Sequence, residues 1–376
     1  MAKQKTACLA DIIGFLNRLC PPDLAEDWDN VGLQVGDPAA KIDKILVCLD
    51  AEDIAIKEAN TQGAQLVISH HPLIFKPIKR LSPTDMTGRV LFQAIKQDIA
   101  VVSAHTNLDR AADGLNDWLA ERLGVKEAIP LESPESGYYS KLVVYVPLGH
   151  EVEVRDAILA AGAGCIGAYD HVSFSSQGVG TFRGNQGTQP FIGTPGTIES
   201  TKEVRLETIV PGSHINKAVS RMLKAHPYEE VAYDLIPLAN GRLDIGLGRV
   251  GQLEKALSLQ QFAEQVKTAL HLSSLKIVGD LERKISRVAV CGGTGMSLFS
   301  AAVRHGADCL VTADIKFHEA QRARAEGITL IDAGHFATEQ IMVIELSKRL
   351  RNILSEQKFG VEVIEMTAES DPLVLF

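Results

Sequence analysis

The chain has 376 residues, more than a single hydrophobic core usually spans, so we expect more than one domain. With 45% hydrophobic and 23% charged residues, its composition is that of an ordinary globular protein. The net charge of −9 argues against a broad nucleic-acid-binding surface, which would need clustered lysine and arginine.

The N-terminal segment predicts an amphipathic helix rather than a secretion signal. Asp11 and Asn17 interrupt its apolar character, while its apolar residues recur at helical spacing, at Leu9, Ile12, Ile13, Leu16 and Leu19. No apolar run approaches about 18 residues, so we expect no membrane contact. The six cysteines form no CxxC pair, and most lie in apolar surroundings. We therefore expect a cytoplasmic protein with reduced cysteines.

Residues 40–125 predict alternating strands and helices. Apolar, strand-like runs alternate with amphipathic runs, which is the pattern of βαβ units with a mostly parallel sheet. In chain order the runs are KILVCLD, IAIKEANTQGA, QLVISHH, VLFQAIKQDI and AVVSAHTNLD. We therefore expect an α/β fold in which helices cover the sheet.

The pattern changes between about residues 137 and 238. KLVVYVP predicts a strand, EVEVRDAILAAGA a helix and CIGAYDHVSFSS a second strand, before a stretch rich in glycine and proline at 177–200. The order strand, helix, strand then repeats in EVRLETIVP, SHINKAVSRMLKAHP and EEVAYDLIPL. Two βαβ halves in about a hundred residues describe a ferredoxin-like α+β domain, inserted into the chain.

From about residue 245 the first pattern returns, and its similarity to the first part predicts an internal duplication. Shifts of 243 and then 230 residues align Cys48 with Cys291, His71 with Asp314, His105 with His335 and Asp109 with Glu339. Chance similarity between βαβ units is the alternative. We predict two duplicated α/β halves, residues 1–136 and 239–376, which form one core domain around the insertion at 137–238.

Polar side chains follow the predicted strands at four places. Ligand sites in open α/β sheets form beyond the carboxyl ends of parallel strands, so these side chains converge if the halves face each other. The clusters are His70 with His71, His105 with Asp109, Thr312 with Asp314, and His335 with Glu339. Imidazole and carboxylate without thiolate suit Zn, Fe, Mn, Co or Ni. The number of ligands predicts two metals about 3.5–4 Å apart.

Each of these residues also has a structural interpretation. His70 and His71 could be a satisfied strand end, and Asp109 and Glu339 could be ordinary acids at helix starts. For a single residue that interpretation is favoured. The set as a whole, at matching places in a duplicated unit, favours a metal site.

Three weaker features leave alternatives open. CGGTGMSL, at 291–298, predicts a tight turn, with an anion-binding loop as the alternative. His318 is equally compatible with a general acid beside the site and with a surface histidine. EDWDNVGLQVGD, at 26–37, predicts either a structured loop near the site entrance or a plain hairpin.

The motifs WDNVGLQVG, ISHHPLIF, SAHTNLD and GHFATE together resemble the Nif-three-like dinuclear-metal hexameric family, part of which is known as GTP cyclohydrolase I type 2. The insertion, ending in HPYEEVAYDLIPL, resembles the extra CutA- and PII-like domain of longer bacterial members. The resemblance implies a two-metal centre held by His70, His71, Asp109, His335 and Glu339. It also implies that Asp109 and Glu339 bridge the metals.

The function that this resemblance implies is a metal-dependent hydrolase that opens the purine ring of GTP. A water activated by two divalent ions, with zinc or iron first and manganese, cobalt or nickel as alternatives, would attack purine C8. His105 or His318 would transfer the proton. The candidates for binding the triphosphate are Lys76, Lys79, Arg80 and Arg89, with a solvated basic loop as the alternative.

The resemblance further implies a homohexamer, and a nucleotide or other phosphorylated small molecule as the ligand. A non-catalytic protein is the alternative function. In that interpretation the metals serve regulation or scaffolding, and the PII-like domain senses a ligand. The titratable groups beyond those needed to hold two ions favour catalysis, whereas an insertion without evident metal ligands favours regulation.

Overall fold

The structure is a computed structural model that describes residues 5–133, 138–167, 169–242 and 244–374. The chain forms two compact units. The core unit comprises residues 1–133 and 243–376, and the insertion unit comprises residues 134–242. The domain boundary that the sequence predicts at 136–137 lies outside the described residues.

The first part of the core unit alternates strands and helices. Its elements are β1 (Ala7–Cys8), α1 (Leu9–Leu19), β2 (Gly32–Val35), β3 (Lys41–Ile42), β4 (Lys44–Asp50), α2 (Asp53–Gln62), β5 (Leu66–His71), α3 (Met86–Lys96), β6 (Ala100–Ser103), α4 (Thr106–Arg110), α5 (Leu115–Arg122) and β7 (Val125–Glu132). The centre of β4 is apolar and buried throughout, as a strand covered on both faces requires. α2 ends at Gly63, whose φ of 67° is a left-handed conformation that glycine adopts easily.

The insertion unit has a ferredoxin-like topology. Its elements are β8 (Tyr139–Pro147), α6 (Glu151–Leu159), β9 (Phe174–Phe182), β10 (Glu199–Pro211), α7 (Ile215–Ala225) and β11 (Tyr233–Pro237). The strands form an antiparallel sheet in the order β11-β8-β10-β9, and buried residues of both helices and of β8 and β10 form its core. This confirms the predicted ferredoxin-like insertion. Its likeness to CutA and PII proteins stays a prediction, since many unrelated proteins share this topology.

The second strand of the insertion lies further along the chain than the sequence predicts. The strand predicted within 165–176 is in fact β9, which begins at Phe174 and continues into the glycine-rich stretch. β9 is mostly exposed and pairs with β10 through its backbone, with Gly178 opposite Glu203. Its side chains therefore give no apolar alternation that a sequence could display.

The second part of the core unit repeats the alternation. Its elements are β12 (Leu247–Ser258), α8 (Leu259–Ala269), β13 (Lys276–Val278), β14 (Lys284–Val290), α9 (Phe299–Arg304), β15 (Cys309–Thr312), α10 (Phe317–Glu326), β16 (Thr329–Asp332), α11 (His335–Glu339), α12 (Ile341–Glu356) and β17 (Glu362–Glu365). α8 begins with a capping box, in which Ser258 and Gln261 each accept a backbone N–H of the other. Among the described residues, no helix has the length and apolar character needed to cross a membrane.

The two parts contain the same arrangement of strands. In the first, β4, β5 and β6 are parallel and β2 lies antiparallel beside β6. In the second, β14, β15 and β16 are parallel and β13 lies antiparallel beside β16. This agreement confirms the α/β class and the predicted duplicated halves.

Each half also completes the sheet of the other. The first sheet has the order β17-β4-β5-β6-β2, so its outer strand β17 comes from the second half. The second sheet has the order β13-β16-β15-β14-β12-β7, so its outer strand β7 comes from the first half. This exchange of edge strands joins the two halves into one compact unit.

Candidate metal centre

The candidate site forms where the parallel strands of both halves end. β5 ends in His70 and His71, which are respectively fully and largely buried. β6 is followed by His105 and the one-turn helix α4, and β16 by the one-turn helix α11. Because residues four apart lie on the same side of a helix, each helix presents a histidine and a carboxylate together.

The carboxylates and imidazoles of the two halves meet. Glu339 contacts imidazoles from both halves, and the closest atom pairs are His71 Nε2 with Glu339 Oε2 at 3.0 Å, His335 Nε2 with Glu339 Oε2 at 3.1 Å, and His70 Nε2 with Asp109 Oδ1 at 3.6 Å. His70 Nε2 also lies 3.9 Å from Glu339 Oε1. The predicted convergence of the strand ends is therefore present in the structure.

Each imidazole of the cluster is oriented through its Nδ1 atom. The acceptors are the Ala104 carbonyl for His70 at 2.8 Å, Asp50 for His71 at 2.8 Å, Asp29 for His105 at 2.9 Å and Asp314 for His335 at 2.7 Å. An Nδ1–H that donates to these oxygens leaves a lone pair on each Nε2. This is the tautomer and orientation of histidines that bind metals in proteins.

Two buried polar atoms at the centre, His70 Nε2 and Asp109 Oδ1, have no hydrogen-bond partner among the described residues. Buried polar atoms are usually paired, because leaving one unpaired costs free energy. Here imidazole lone pairs face carboxylate oxygens, so a positive charge between them is needed. Protons or metal cations meet that need, and the donor set fits a divalent cation.

The pKa values show how strongly the cluster demands positive charge. Burial lowers the pKa of His70 to about 3. Burial would also lower the pKa of His71, but hydrogen bonds to Asp50 and Glu339 outweigh it and raise that pKa to about 10. The hydrogen bond to Glu339 raises the pKa of His335 to about 9. A cation that replaces these protons would make metal binding release protons.

The two carboxylates differ in their surroundings. Burial raises the pKa of Asp109 well above its usual value, and the nearby Glu339 charge adds to this effect. Burial also disfavours the charged form of Glu339, but hydrogen bonds from His335 and His71 lower its pKa overall. Glu339 is therefore the anionic centre of the cluster, while Asp109 needs a further cation to ionise.

The structure groups His105 with the predicted ligands. Two sets of side chains bring their ligand atoms within 4.8 Å of one another: His70, His71 and His105, and His71, His335 and Glu339. His105 occupies the place in the first half that His335 occupies in the second. The sequence analysis separated His105 from the ligand set, and the geometry gives no reason for that separation.

His318 is not brought to this cluster. It lies exposed on α10, and its Nδ1 atom is 3.0 Å from Gln321 Oε1, one turn further along the same helix. Within the described residues it does not line the cavity beside the metal centre. Its predicted role in proton transfer has no structural support in this chain.

The glycine-rich segment CGGTG forms a tight turn against the metal centre. Its amide groups donate within the protein: Gly292 to Asn116 Oδ1 at 2.9 Å and Gly293 to Thr338 Oγ1 at 3.0 Å. Gly293 has a φ of 58°, and a Cβ atom there would overlap Glu339 Oε1. The Gly295 N–H also donates within the protein, to Thr312 Oγ1 at 2.8 Å, so the glycine amides of this turn are not free to bind an anion.

The segment 26–37 forms a structured loop at the site entrance, which continues into strand β2. Asn30 donates to the carbonyl of Ile74 at 2.6 Å, and Ile74 N–H donates to Gln34 at 3.2 Å. These bonds hold the loop against the segment after His71. Asp29 on the same loop orients His105 by a hydrogen bond to its Nδ1. Burial would raise the pKa of Asp29, but the hydrogen bonds from His105 and Thr106 outweigh it and lower that pKa to about 2.

A cavity of about 740 Å³ opens on the candidate metal centre. His71, His105, Asp109, His335 and Glu339 lie on its wall. Trp28 and Phe75 line it as well, with 58% and 50% of their surfaces exposed and ring centroids 5.7 Å apart. The cavity therefore has room for an organic molecule beside the cluster.

Sequence analysis missed several residues that shape the site. Asp50 could have been found, because it ends β4 and so lies on the same sheet edge as the histidines. Asp29 lies in a motif that was noticed but not resolved into single residues. Asn116, which accepts the Gly292 N–H, gave no signal, since an isolated polar residue in a sequence does not reveal that it is buried.

A profile of the family described as Duf34/NIF3 (NGG1p interacting factor 3) matches residues 7–372. The chain belongs to this family. NIF3 relatives named GTP cyclohydrolase 1 type 2 homolog include proteins of Halalkalibacterium halodurans, 40% identical, and Bacillus subtilis, 41% identical. The alignments cover 96% of this chain in both cases, and 97% and 96% of those proteins respectively.

A solved NIF3 structure has the same fold over its whole length. The Bacillus cereus protein related to NIF3 is 38% identical, with a TM-score of 0.86 and coverage of 100% of both chains. The recognition of the family from four short motifs is thereby confirmed. Agreement over both units means that the long form with the insertion recurs in this relative.

Proposed function

We propose that this protein is a metal-dependent hydrolase that holds two divalent cations. The predicted ligands are His70, His71, Asp109, His335 and Glu339, with Asp109 and Glu339 as the bridging carboxylates. Zinc or iron suits this nitrogen and oxygen set best, and manganese, cobalt and nickel are also compatible with it. Cations bound there would supply Lewis acidity and lower the pKa of a coordinated water toward ~7.

One observation carries the metal proposal. Imidazoles from both halves of the chain bring their Nε2 atoms to the carboxylates of Asp109 and Glu339, and two of the facing atoms, His70 Nε2 and Asp109 Oδ1, have no hydrogen-bond partner among the described residues. A cluster kept only for stability would pair these atoms with one another. Free lone pairs that converge in a buried place are what metal coordination requires.

His105 is our candidate for proton transfer. Its Nδ1–H donates to Asp29, which is itself held by the N–H and hydroxyl groups of Thr106. Nε2 therefore keeps its lone pair toward the cavity, where it can bind a cation or accept a proton from water. Removing His105 while counting bound metal distinguishes these two roles.

GTP is the substrate that the names of the relatives suggest. The exposed rings of Trp28 and Phe75 at the cavity wall can stack on a planar base. Lys76, Lys79 and Arg80 follow Phe75 on an exposed segment, and within the described residues no ion pair occupies them. Arg89 is less suited to phosphate binding, because its Nε atom is paired with Asp53 at 2.8 Å.

The reaction we propose is hydrolytic opening of the guanine ring. Water adds at C8, the bond from C8 to a ring nitrogen breaks, and the proton from water passes through His105 to the leaving nitrogen. A second water then hydrolyses the formamide and releases formate. No oxidant or reductant is consumed.

Formate release from GTP by metal-loaded protein tests this proposal. Asp109→Asn and Glu339→Gln should lose bound metal and activity together, whereas Asp43→Asn, which changes an exposed carboxylate paired with Lys41, should keep both. Full metal occupancy without formate release would remove the GTP assignment. Inactivity of the loaded protein on a wider panel of phosphate esters and cyclic amides would favour the non-catalytic alternative.

A homohexamer remains a prediction, which light scattering tests.

A further inference from the structure

The insertion unit contains a cavity of its own, of about 470 Å³. Every residue on its wall belongs to the insertion unit, so it is a separate place from the metal centre. Its wall combines aromatic rings with carboxylates. The residues that matter for its chemistry are Phe182, Phe191, Tyr228, Glu203 and Arg183.

Three aromatic rings surround one region of this cavity. The ring of Tyr228 contacts those of Phe182 and Phe191, with centroid distances of 6.1 and 6.2 Å and interplanar angles of 53° and 49°. Rings at this spacing contact one another, so a guest meets them where they line the cavity. Ring faces carry partial negative charge and attract organic cations.

A buried carboxylate completes this arrangement. Glu203, on β10, has only 9% of its surface exposed, and its Oε1 atom accepts a hydrogen bond from the Tyr228 hydroxyl at 3.0 Å. Its other oxygen lies against Gly180 of β9, where a Cβ atom would overlap it. Glycine at that position therefore makes the space that the carboxylate occupies.

Glu203 lacks a cationic partner within the insertion residues that the structure describes. A buried carboxylate is costly unless a positive charge accompanies it. Arg183 lines the same cavity but is exposed and forms no ion pair with the other residues that the structure describes. Glu207, on the same strand, shows how a carboxylate is usually paired, since Lys141 and Arg205 both form ion pairs with it, at 2.9 Å each.

The mouth of the cavity is also acidic. Glu229 and Glu230 lie on its wall. Glu229 accepts the backbone N–H of Gln189 at 3.1 Å, and this hydrogen bond holds the segment around Gln189 in place. Three carboxylates therefore face the cavity against one guanidinium. This charge disfavours a phosphate or nucleotide ligand. The aromatic walls also differ from a metal site, which would offer several nitrogen or oxygen ligands.

We propose that this cavity binds an aliphatic diamine. One ammonium group lies against the wall formed by Phe182, Phe191 and Tyr228 and donates a hydrogen bond to Glu203. The alkyl chain lies along the aromatic wall, and the second ammonium group reaches the acidic mouth. This site is independent of the metal centre and of the proposed hydrolase activity.

Calorimetric titration of the full-length protein with putrescine tests the proposal. 1,4-Butanediol has the same chain without the charges, so it should not bind. Glu203→Gln should weaken putrescine binding about 10- to 100-fold, the usual contribution of a hydrogen bond to a charged group. The matched control is Glu207→Gln, which removes the same charge from the same strand and should leave affinity unchanged.

A second pair of variants tests the aromatic cage. Tyr228→Leu removes the ring and should weaken binding about 2- to 30-fold, the range of a cation–π contact, while Tyr228→Phe keeps the ring face. All six tyrosines of the chain lie between residues 138 and 233, so a change in tyrosine emission places binding in the insertion.

Three results would overturn the proposal. The first is an absence of saturable putrescine binding to the wild-type protein. The second is equal binding of the diol and the diamine, which does not depend on any variant folding. The third is equal weakening by Glu203→Gln and Glu207→Gln, because that would show attraction to the overall negative charge rather than a built site.

Discussion

Asp50 and Asp314 each orient a histidine of the candidate metal centre, but they occupy different positions in the two duplicated halves. Each accepts a hydrogen bond from the Nδ1 of a histidine that contacts Glu339. Asp50 ends β4, directly opposite His71 in the sheet register, whereas Asp314 follows β15 at the position that aligns with His71. Asp314 adopts a φ of 57°, a strained conformation for a residue with a side chain. This backbone conformation places its carboxylate against His335 Nδ1.

Replacing either aspartate should weaken metal binding without removing a ligand. We expect Asp50→Asn and Asp314→Asn each to lower the metal affinity about 10- to 100-fold, because the imidazole loses the acceptor that fixes its tautomer. Competition with a chromogenic chelator measures this. Asp43→Asn is the control for loss of one exposed negative charge. Unchanged affinity in both variants would contradict the assigned role of the two aspartates.

His226 should make the insertion unit sensitive to acid. Its Nε2 hydrogen-bonds the Tyr145 carbonyl at 3.0 Å and its Nδ1 accepts from the Tyr228 N–H at 3.1 Å, so the neutral ring is fully satisfied. Burial lowers its pKa below the usual 6.5, although the Tyr145 carbonyl and the Glu203 charge oppose this. Below about pH 6.5 the unfolded chain therefore binds a proton at this histidine that the native state does not bind. The free energy of unfolding consequently falls as the pH falls below about 6.5.

Urea unfolding followed by tyrosine fluorescence between about pH 7.5 and pH 5.5 measures this effect. The free energy of unfolding of the insertion should fall by at most ~1.4 kcal/mol per pH unit from this histidine. His226→Gln should be less stable at neutral pH but should show a smaller pH slope. An equal slope in the variant would assign the acid sensitivity to other groups.

At the scale of elements, Arg249 of β12 fixes the connection between α4 and α5. It is 1% exposed and donates to both oxygens of Asp117 on α5, at 2.6 and 2.7 Å. It also donates to the carbonyl of Ala111, two residues beyond Asp109, at 2.9 Å. A single guanidinium from the second half thus holds the helix end that presents Asp109.

Loss of this guanidinium should destabilise the core unit strongly. Arg249→Met leaves Asp117 without its partner and several buried carbonyl groups without donors, which we expect to cost about 3 kcal/mol or more. Arg351→Met is the matched control, because Arg351 is 46% exposed and pairs with Glu365 on the surface, a contact worth about 1 kcal/mol or less. Urea unfolding followed by tryptophan fluorescence measures both. Similar losses for the two variants would contradict this account.

The elements that the sequence predicted correctly are those whose signal is local. Buried parallel strands such as β4 and β5 are continuous apolar runs, and their polar ends follow directly in the sequence. β9 was misplaced because it is exposed and glycine-containing, and its pairing depends on β10. Arg249 was missed because its partners lie more than a hundred residues away. Tertiary contacts of this kind leave no local pattern.

At the scale of the whole molecule, the candidate metal centre depends on two halves far apart in the chain. Asn116, 1% exposed, donates to the carbonyl of Asp109 at 3.0 Å and accepts the N–H of Gly292 at 2.9 Å. It therefore links the first-half helix to the second-half turn beside Glu339. Together with the exchanged edge strands, this link makes each half incomplete without the other.

Metal removal should therefore weaken the core unit as a whole and leave the insertion unit unchanged. Each unit has its own buried core, and the predicted ligands all belong to the core unit. A cation that binds only the native site stabilises it by about 2.7 kcal/mol at a hundredfold excess over its dissociation constant. Chelation should remove that contribution, because without cations Asp109 and Glu339 have too little positive charge between them.

The aromatic residues of the chain allow the two units to be followed separately. Both tryptophans, Trp28 and Trp118, lie in the core unit, and all six tyrosines lie in the insertion unit. Chelation should lower the urea midpoint seen by tryptophan fluorescence and leave the midpoint seen by tyrosine fluorescence in place, and restoring metal should reverse the shift. A tryptophan midpoint insensitive to metal would mean that the facing lone pairs are satisfied by protons alone, and the proposed hydrolase would lose its chemical basis.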